Sequence, residues 1–155
     1  MRMDRGVRGI SAEWVRKVVR TALSRERTKR RRVSVLLTND AQIRRINKAA
    51  LQHDYATDVI SFGCEDEKLV GRESDYLGDL VVSVETARNV AKEIGIAFRE
   101  ELARYLVHGT LHLLGYDDKS PGLRAVMYKR QEAALESYFG RQMKRGKIDA
   151  AKDLS

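Results

Sequence analysis

His108 and His112 stand four residues apart in the stretch Val107-His108-Gly109-Thr110-Leu111-His112-Leu113-Leu114-Gly115-Tyr116-Asp117-Asp118. On a helix that spacing stacks two imidazoles on one face, where two ring nitrogens can converge on one ion. Gly115 can end the helix and reverse the chain, so that Asp117 or Asp118 offers an oxygen from a third direction. A pair of histidines alone also suits hydrogen-bonded structural groups; the glycine turn and the acidic pair favour a metal. The third histidine of the chain, His53, is remote in sequence, and it is the one residue that could add a third imidazole.

The helix that must carry the pair is written in its apolar residues. Phe98, Leu102, Leu106 and Leu113 form a stripe, joined by Ala103, Val107, Thr110 and Leu114. At about 100° per residue, His108 and His112 fall in line with Glu101, Arg104 and Tyr105, which places them beside a cleft and off the centre of the apolar flank. Upstream, Ser11 caps a helix that turns Trp14, Val15, Val18, Val19, Ala22 and Leu23 inward. Residues 33–38 form a strand, Asp40 caps a helix running to about Leu51, and residues 59–62 and 77–84 form two further strands joined by an acidic loop. Ser83 caps the next helix, which Gly95 closes. Ser120-Pro121 opens a last helix with Leu123, Val126, Met127 and Leu135 on its core face. The expected architecture is α+β, a single domain over 1–140 with a small mixed sheet of three or four strands and about five helices. An edge strand over 7–10 and a charged, disordered tail over 141–155 complete it.

At 155 residues the chain can bury a core without covalent staples. Its one cysteine, Cys64, allows no internal disulfide and has no motif around it that would make it a nucleophile. No apolar run approaches a membrane span and the N-terminus lacks a signal-peptide block, so a cytoplasmic protein is expected. Thirty Lys plus Arg against 22 Asp plus Glu give a net charge of +8. The excess is dense in Arg25-Glu26-Arg27-Thr28-Lys29-Arg30-Arg31-Arg32, which makes Arg30, Arg31 and Arg32 candidate phosphate contacts. A solvated helix end writes the same pattern, and no tyrosine interleaves the run as a stacking platform.

The block from His108 to Asp118 resembles the signature of the YbeY-type endoribonucleases, metal-dependent proteins linked to rRNA maturation. Asn47 followed by Thr57-Asp58-Val59-Ile60-Ser61-Phe62 resembles the strand motif of that family, and Leu77-Gly78-Asp79-Leu80-Val81-Val82-Ser83 its Gly-Asp strand. The likeness spans about 33–136. It implies a single-strand-specific endoribonuclease acting on ribosomal RNA, with the ribosome or its assembly proteins as partners. It also implies a Zn2+ ion held by His108, His112 and Asp118 with a fourth position open.

Three positions depart from the resemblance: Asp118 stands where the family usually has histidine, Leu51 where it has arginine and Ala56 where it has proline. A carboxylate in place of an imidazole lowers the charge of the ligand set by one, weakens the ion as an acid and suits harder divalent ions such as manganese as well. Leu51 cannot hold a phosphate, which leaves Arg104 or His53 as candidate substitutes for the missing guanidinium. Asp79 and Asp58, at strand ends, are candidates for proton transfer. Asp117 is a candidate to orient a histidine or the water. The bland readings are a hydrogen-bonding role for Asp79 and a turn role for Asp117.

Two other functions compete. A zinc peptidase also uses histidines at this spacing, but it needs a glutamate after the first, where this chain has Gly109. A non-catalytic, metal-stabilised RNA- or ribosome-binding module would need a closed ligand set, with His53 as the natural fourth member.

Overall fold

The computed structural model describes residues 2–3, 9–28, 32–51, 57–63 and 75–143. Strands β1 (Arg2–Met3), β2 (Arg32–Thr38), β3 (Val59–Gly63) and β4 (Tyr76–Ser83) form one sheet in the order β1-β2-β4-β3. Helices α1 (Ala12–Arg25), α2 (Asp40–Leu51), α3 (Val84–Ile94), α4 (Phe98–Leu113) and α5 (Pro121–Phe139) pack on it. β2 runs parallel to β1 and β4, and β3 runs antiparallel to β4. The sheet is mixed and the class α+β, as expected. The edge strand is Arg2–Met3, whereas the strand expected over 7–10 is absent at Gly9 and Ile10, its residues 7 and 8 lying outside the described residues.

Caps set most helix starts. The Ser11 hydroxyl accepts from Trp14 N–H at 3.1 Å, Ser83 from Thr86 N–H at 3.0 Å and Ser120 from Leu123 N–H at 3.2 Å. The cap of α2 is Asn39, whose Oδ1 accepts from Gln42 N–H at 2.8 Å, and not Asp40. Asp40 instead accepts from the hydroxyls of Ser83 and Thr86, tying the start of α2 to the end of β4 and the first turn of α3. Burial works against its charge, and the hydrogen bonds with Ser83, Thr86 and Glu85 together outweigh it, so its carboxyl is held below its ordinary 3.8.

Both faces of the sheet are covered. Val35, Leu37, Leu80 and Val82 join the main core with α1, α4 and α5, while Val81 and Ile60 meet Ile43 of α2 in a smaller one. α4 is buried on nearly every side, its polar Glu100, Glu101 and Arg104 included. It comes close to the sheet because Gly109 and Gly78 carry no side chain. A Cβ on Gly109 would lie 2.8 Å from Leu80 Cδ2 and 3.0 Å from Val59 Cγ2. At Gly78, with φ at +154°, a Cβ would collide with the Phe62 carbonyl oxygen and sit 2.8 Å from Leu113 Cδ2. Gly78 follows a bulge, since Arg32 pairs with Tyr76 but Val33 with Gly78, leaving Leu77 as the extra residue.

The core face of α5 differs from expectation. Leu123 and Val126 are 48% and 50% exposed, and the buried row is Met127, Gln131, Ala134 and Leu135 with Glu132. Packing also continues past the expected boundary at 140, because Met143 is buried and Arg141 reaches Glu100 at 3.5 Å. Residues 144–155 of the expected tail lie outside the described residues.

Candidate metal centre

α4 ends in the turn that the sequence announces. Gly115, at φ +100°, follows the last helical residues, its N–H donating to His112 O at 3.0 Å while Tyr116 N–H donates to Leu111 O at 3.1 Å. These are the paired bonds of a Schellman motif with glycine in the left-handed position. The reversal brings Asp118 back over the helix. Its Oδ2 lies 3.5 Å from His112 Nε2 and 3.7 Å from His108 Nε2, and the two Nε2 atoms are 3.1 Å apart. Among the described residues, these three form the group of ligand atoms close enough to hold one ion.

The outer hydrogen bonds decide which nitrogens face inward. Glu132 accepts from Arg104 at 2.7 and 3.1 Å, and the Gln131 side-chain NH2 donates to Glu132 Oε2 at 3.1 Å. A carboxylate can only accept here, so the Gln131 amide must present its oxygen to His108 Nδ1, 2.8 Å away. His108 therefore carries its proton on Nδ1. His112 Nδ1 faces the Tyr116 carbonyl oxygen at 3.0 Å, which also requires a proton on Nδ1. Both Nε2 lone pairs then point at one place 3.1 Å apart, beside a carboxylate oxygen, and they repel unless a cation lies between them. Two ligands 2.0–2.1 Å from a tetrahedral zinc ion would be separated by about 3.3 Å, close to what is seen. The donor set fits a divalent metal.

Neither Gln131 nor the Tyr116 carbonyl was among the sequence candidates. Gln131 left one signal: it stands four residues after Met127 and four before Leu135, a polar residue in a buried row.

The geometry agrees with the comparisons. The family model described as Endoribonuclease YbeY matches residues 7–139. The chain belongs to this family. An endoribonuclease YbeY from Persephonella marina is 39% identical over 140 residues, 88% of this chain and 91% of its own length. One from Rhodopirellula baltica is 47% identical over 106 residues, 67% of this chain and 52% of its own. In fold the chain is similar to the solution structure of TM1509 from Thermotoga maritima, with a TM-score of 0.63 at 24% identity over 90% of this chain and 88% of that one.

Other candidate residues of this YbeY-family chain fall elsewhere. Asp79 alternates with Leu80, which meets α4, so it lies on the opposite sheet face with Val81 and beside Phe62. There it accepts a hydrogen bond from the Tyr76 hydroxyl. This corrects the expectation that Asp79 approaches the metal cleft. Asp117 accepts from Lys119 N–H at 3.0 Å and shapes the turn that delivers Asp118. Arg104 is 5% exposed, with Glu132, Glu101 and Glu100 around its guanidinium. Burial opposes its charge, but the hydrogen bond and attraction of Glu132, then Glu101 and Glu100, raise its pKa further. Arg104, the candidate phosphate contact, is held by these carboxylates and anchors the chain of hydrogen bonds that ends on His108. Arg32 is exposed, paired with Asp75 at 2.7 Å. Arg30, Arg31, His53, Ala56 and Cys64 lie outside the described residues, as does the side chain of Leu51.

A cavity of about 450 Å³ opens beside His108, lined by Thr57, Asp58, Thr86, Val90, Glu101, Arg104, Tyr105 and Gln131. Of the two strand-end aspartates, Asp58 is the one that shares a cavity with a metal-site histidine. At Gly109 a side chain would point at Leu80, Val59 and Ser61, so the peptidase glutamate could not reach the metal from that position.

Proposed function

We propose that the protein is a metal-dependent endoribonuclease that hydrolyses phosphodiester bonds in single-stranded ribosomal RNA during rRNA maturation, with one zinc ion at His108, His112 and Asp118. The observation that carries this reading is the openness of the ligand set. The two imidazoles are 29% and 28% exposed and the carboxylate 41%, with three candidate protein ligands among the described residues. A structural zinc is ordinarily enclosed by four. When bound, the ion supplies Lewis-acid polarisation of a phosphate oxygen and eases deprotonation of water.

The rest is the work of the chain's own groups. Gln131 and the Tyr116 carbonyl hold both histidines with Nε2 inward, and Asp117 holds the turn that carries Asp118. Asp58, at the rim of the cavity beside His108, takes the proton from the attacking water. The net charge of +8 aligns an RNA backbone without reading its sequence, with Arg30, Arg31 and Arg32 among the phosphate contacts. Partners in this reading are rRNA and the assembling ribosome, in the cytoplasm. No helix among the described residues is long and apolar enough to cross a membrane.

Labelled ribosomal RNA incubated with metal-loaded protein, with chelated protein and with a His112→Ala variant tests the proposal. Cleavage is expected in the first sample alone. One departure favours a second reading, a non-catalytic RNA-binding module: Leu51 replaces the arginine that the resemblance places near the phosphate. Salt-sensitive RNA binding without cleavage in any sample would select it.

A further inference from the structure

A second cavity, of about 670 Å³, lies between α1 and the first half of β2 and shares no lining residue with the one beside His108. Its apolar floor is Val15, Val19, Leu23, Val33 and Val35, and its rim carries Arg16, Arg20 and Arg32. Among the described residues, no Asp or Glu lines it. Arg16 and Arg20, one helical turn apart, are exposed and have no carboxylate partner among the described residues. Arg32 is fixed as a wall by Asp75 and stands 5.7 Å from the Tyr76 ring centroid.

This combination selects its ligand. Unpaired guanidinium groups call for an anion, and an apolar recess beside them calls for a flat apolar body attached to that anion. A nucleotide supplies both, and the volume is within the range of small-ligand sites. An acidic peptide side chain would satisfy the rim but leave the floor wet.

Both walls lead toward the metal turn. Past Leu23 and Ser24, Glu26 accepts from the Tyr116 hydroxyl at 2.7 Å, and the Tyr116 carbonyl is the acceptor for His112. On the other wall Tyr76 is two residues from Gly78, against which Leu113 packs. Arg130, half exposed over the Tyr116 ring and 3.4 Å from Glu26, adds positive charge beside the same contact.

We propose that this cavity is an RNA subsite: it takes an unstacked nucleotide of the strand whose scissile bond lies at the metal centre, its base against the half-buried Val33 and the outer edges of Val19 and Leu23 and its phosphates on Arg16 and Arg20. The proposal rests on the endoribonuclease reading and extends it to a stretch of RNA away from the cut. Base packing and phosphate contact together are how single strands are held without sequence readout.

The test compares the wild type with an Arg16→Gln/Arg20→Gln variant and an Arg45→Gln/Lys92→Gln control on α2 and α3. Binding of a long single-stranded RNA is measured in chelator against salt, and cleavage of a tetranucleotide with metal. Losing two phosphate contacts should weaken long-RNA binding about tenfold and reduce the slope of log affinity against log salt by about 1.4. Tetranucleotide cleavage and metal affinity should be unchanged, and the control should bind like the wild type. A photoreactive uridine in the long RNA should cross-link to α1 or β2. Unchanged affinity, an equal loss in the control, or cross-links confined to other segments would each overturn the proposal. So would binding of a polyglutamate peptide that the variant loses while RNA affinity stays intact, an outcome that assigns the recess to an acidic protein segment. Cleavage that survives chelation and His112→Ala would defeat the metal reading alone, since the binding arm is measured without metal.

Discussion

Gln131 sits where a small change separates the tautomer argument from mere packing. Gln131→Met keeps the volume but removes the oxygen that faces His108 Nδ1. Metal affinity should fall about 10- to 100-fold. The 15N chemical shifts of His108 in the metal-free protein should show the proton leaving Nδ1 for part of the population, while those of His112 stay put. Unchanged shifts and affinity would make Gln131 a bystander. Arg104 tests the other end of the relay. Arg104→Met would remove the cation shared by buried Glu132, Glu101 and Glu100, leaving Glu100 with Arg141, and stability measured by urea unfolding should drop by about 3–5 kcal/mol. A loss of RNA affinity at unchanged stability would restore the phosphate-contact role. Asp58→Asn should lower kcat about 10²- to 10⁴-fold without altering metal affinity, measured by single-turnover cleavage and metal titration. The three candidate ligands were legible in the sequence because helix spacing and a glycine turn are local rules. Gln131 was not, because it arrives from another helix 23 residues away, and no spacing rule connects it to His108.

α4 is held against the sheet by an absence of atoms, which gives a test of its seating. In Gly109→Ala the gain in helix propensity should be outweighed by contacts of 2.8 and 3.0 Å with Leu80 and Val59, costing about 1–3 kcal/mol in urea unfolding. Stabilisation instead would mean that the helix has room to spare. Caps and strands were readable from the chain, since Ser11, Ser83 and Ser120 act within three residues of their donors. The phase of α5 was harder to read because Gln131 and Glu132 occupy its buried side, so the apolar residues do not mark that side. Leu123 and Val126 therefore looked internal and are exposed. The β1 strand, at two residues, is too short to leave a periodic trace.

Acid should loosen the molecule through a contact between elements far apart in sequence. Asp40 titrates below 3.8 in the folded chain, so folding favours its charged form. The stability it contributes is present above the unfolded value and is lost as pH falls through the lower folded value. An Asp40→Asn variant should show a shallower decline in unfolding midpoint below about pH 3.8, and an unchanged decline would place the acid sensitivity elsewhere. The α+β class and the metal motif were visible in the sequence. What it hid was the depth of α4: a helix with Glu100, Glu101 and Arg104 on one flank looks half solvated until α5 is seen to cover that flank with Glu132. The central claim, that one ion on His108, His112 and Asp118 organises RNA hydrolysis, is tested most directly by titrating zinc into chelator-stripped protein while following rRNA cleavage. Activity should be absent at zero metal, rise to a plateau at one equivalent, and fail to appear in Asp118→Ala. Full cleavage by the stripped protein, or by Asp118→Ala without added metal, would contradict it.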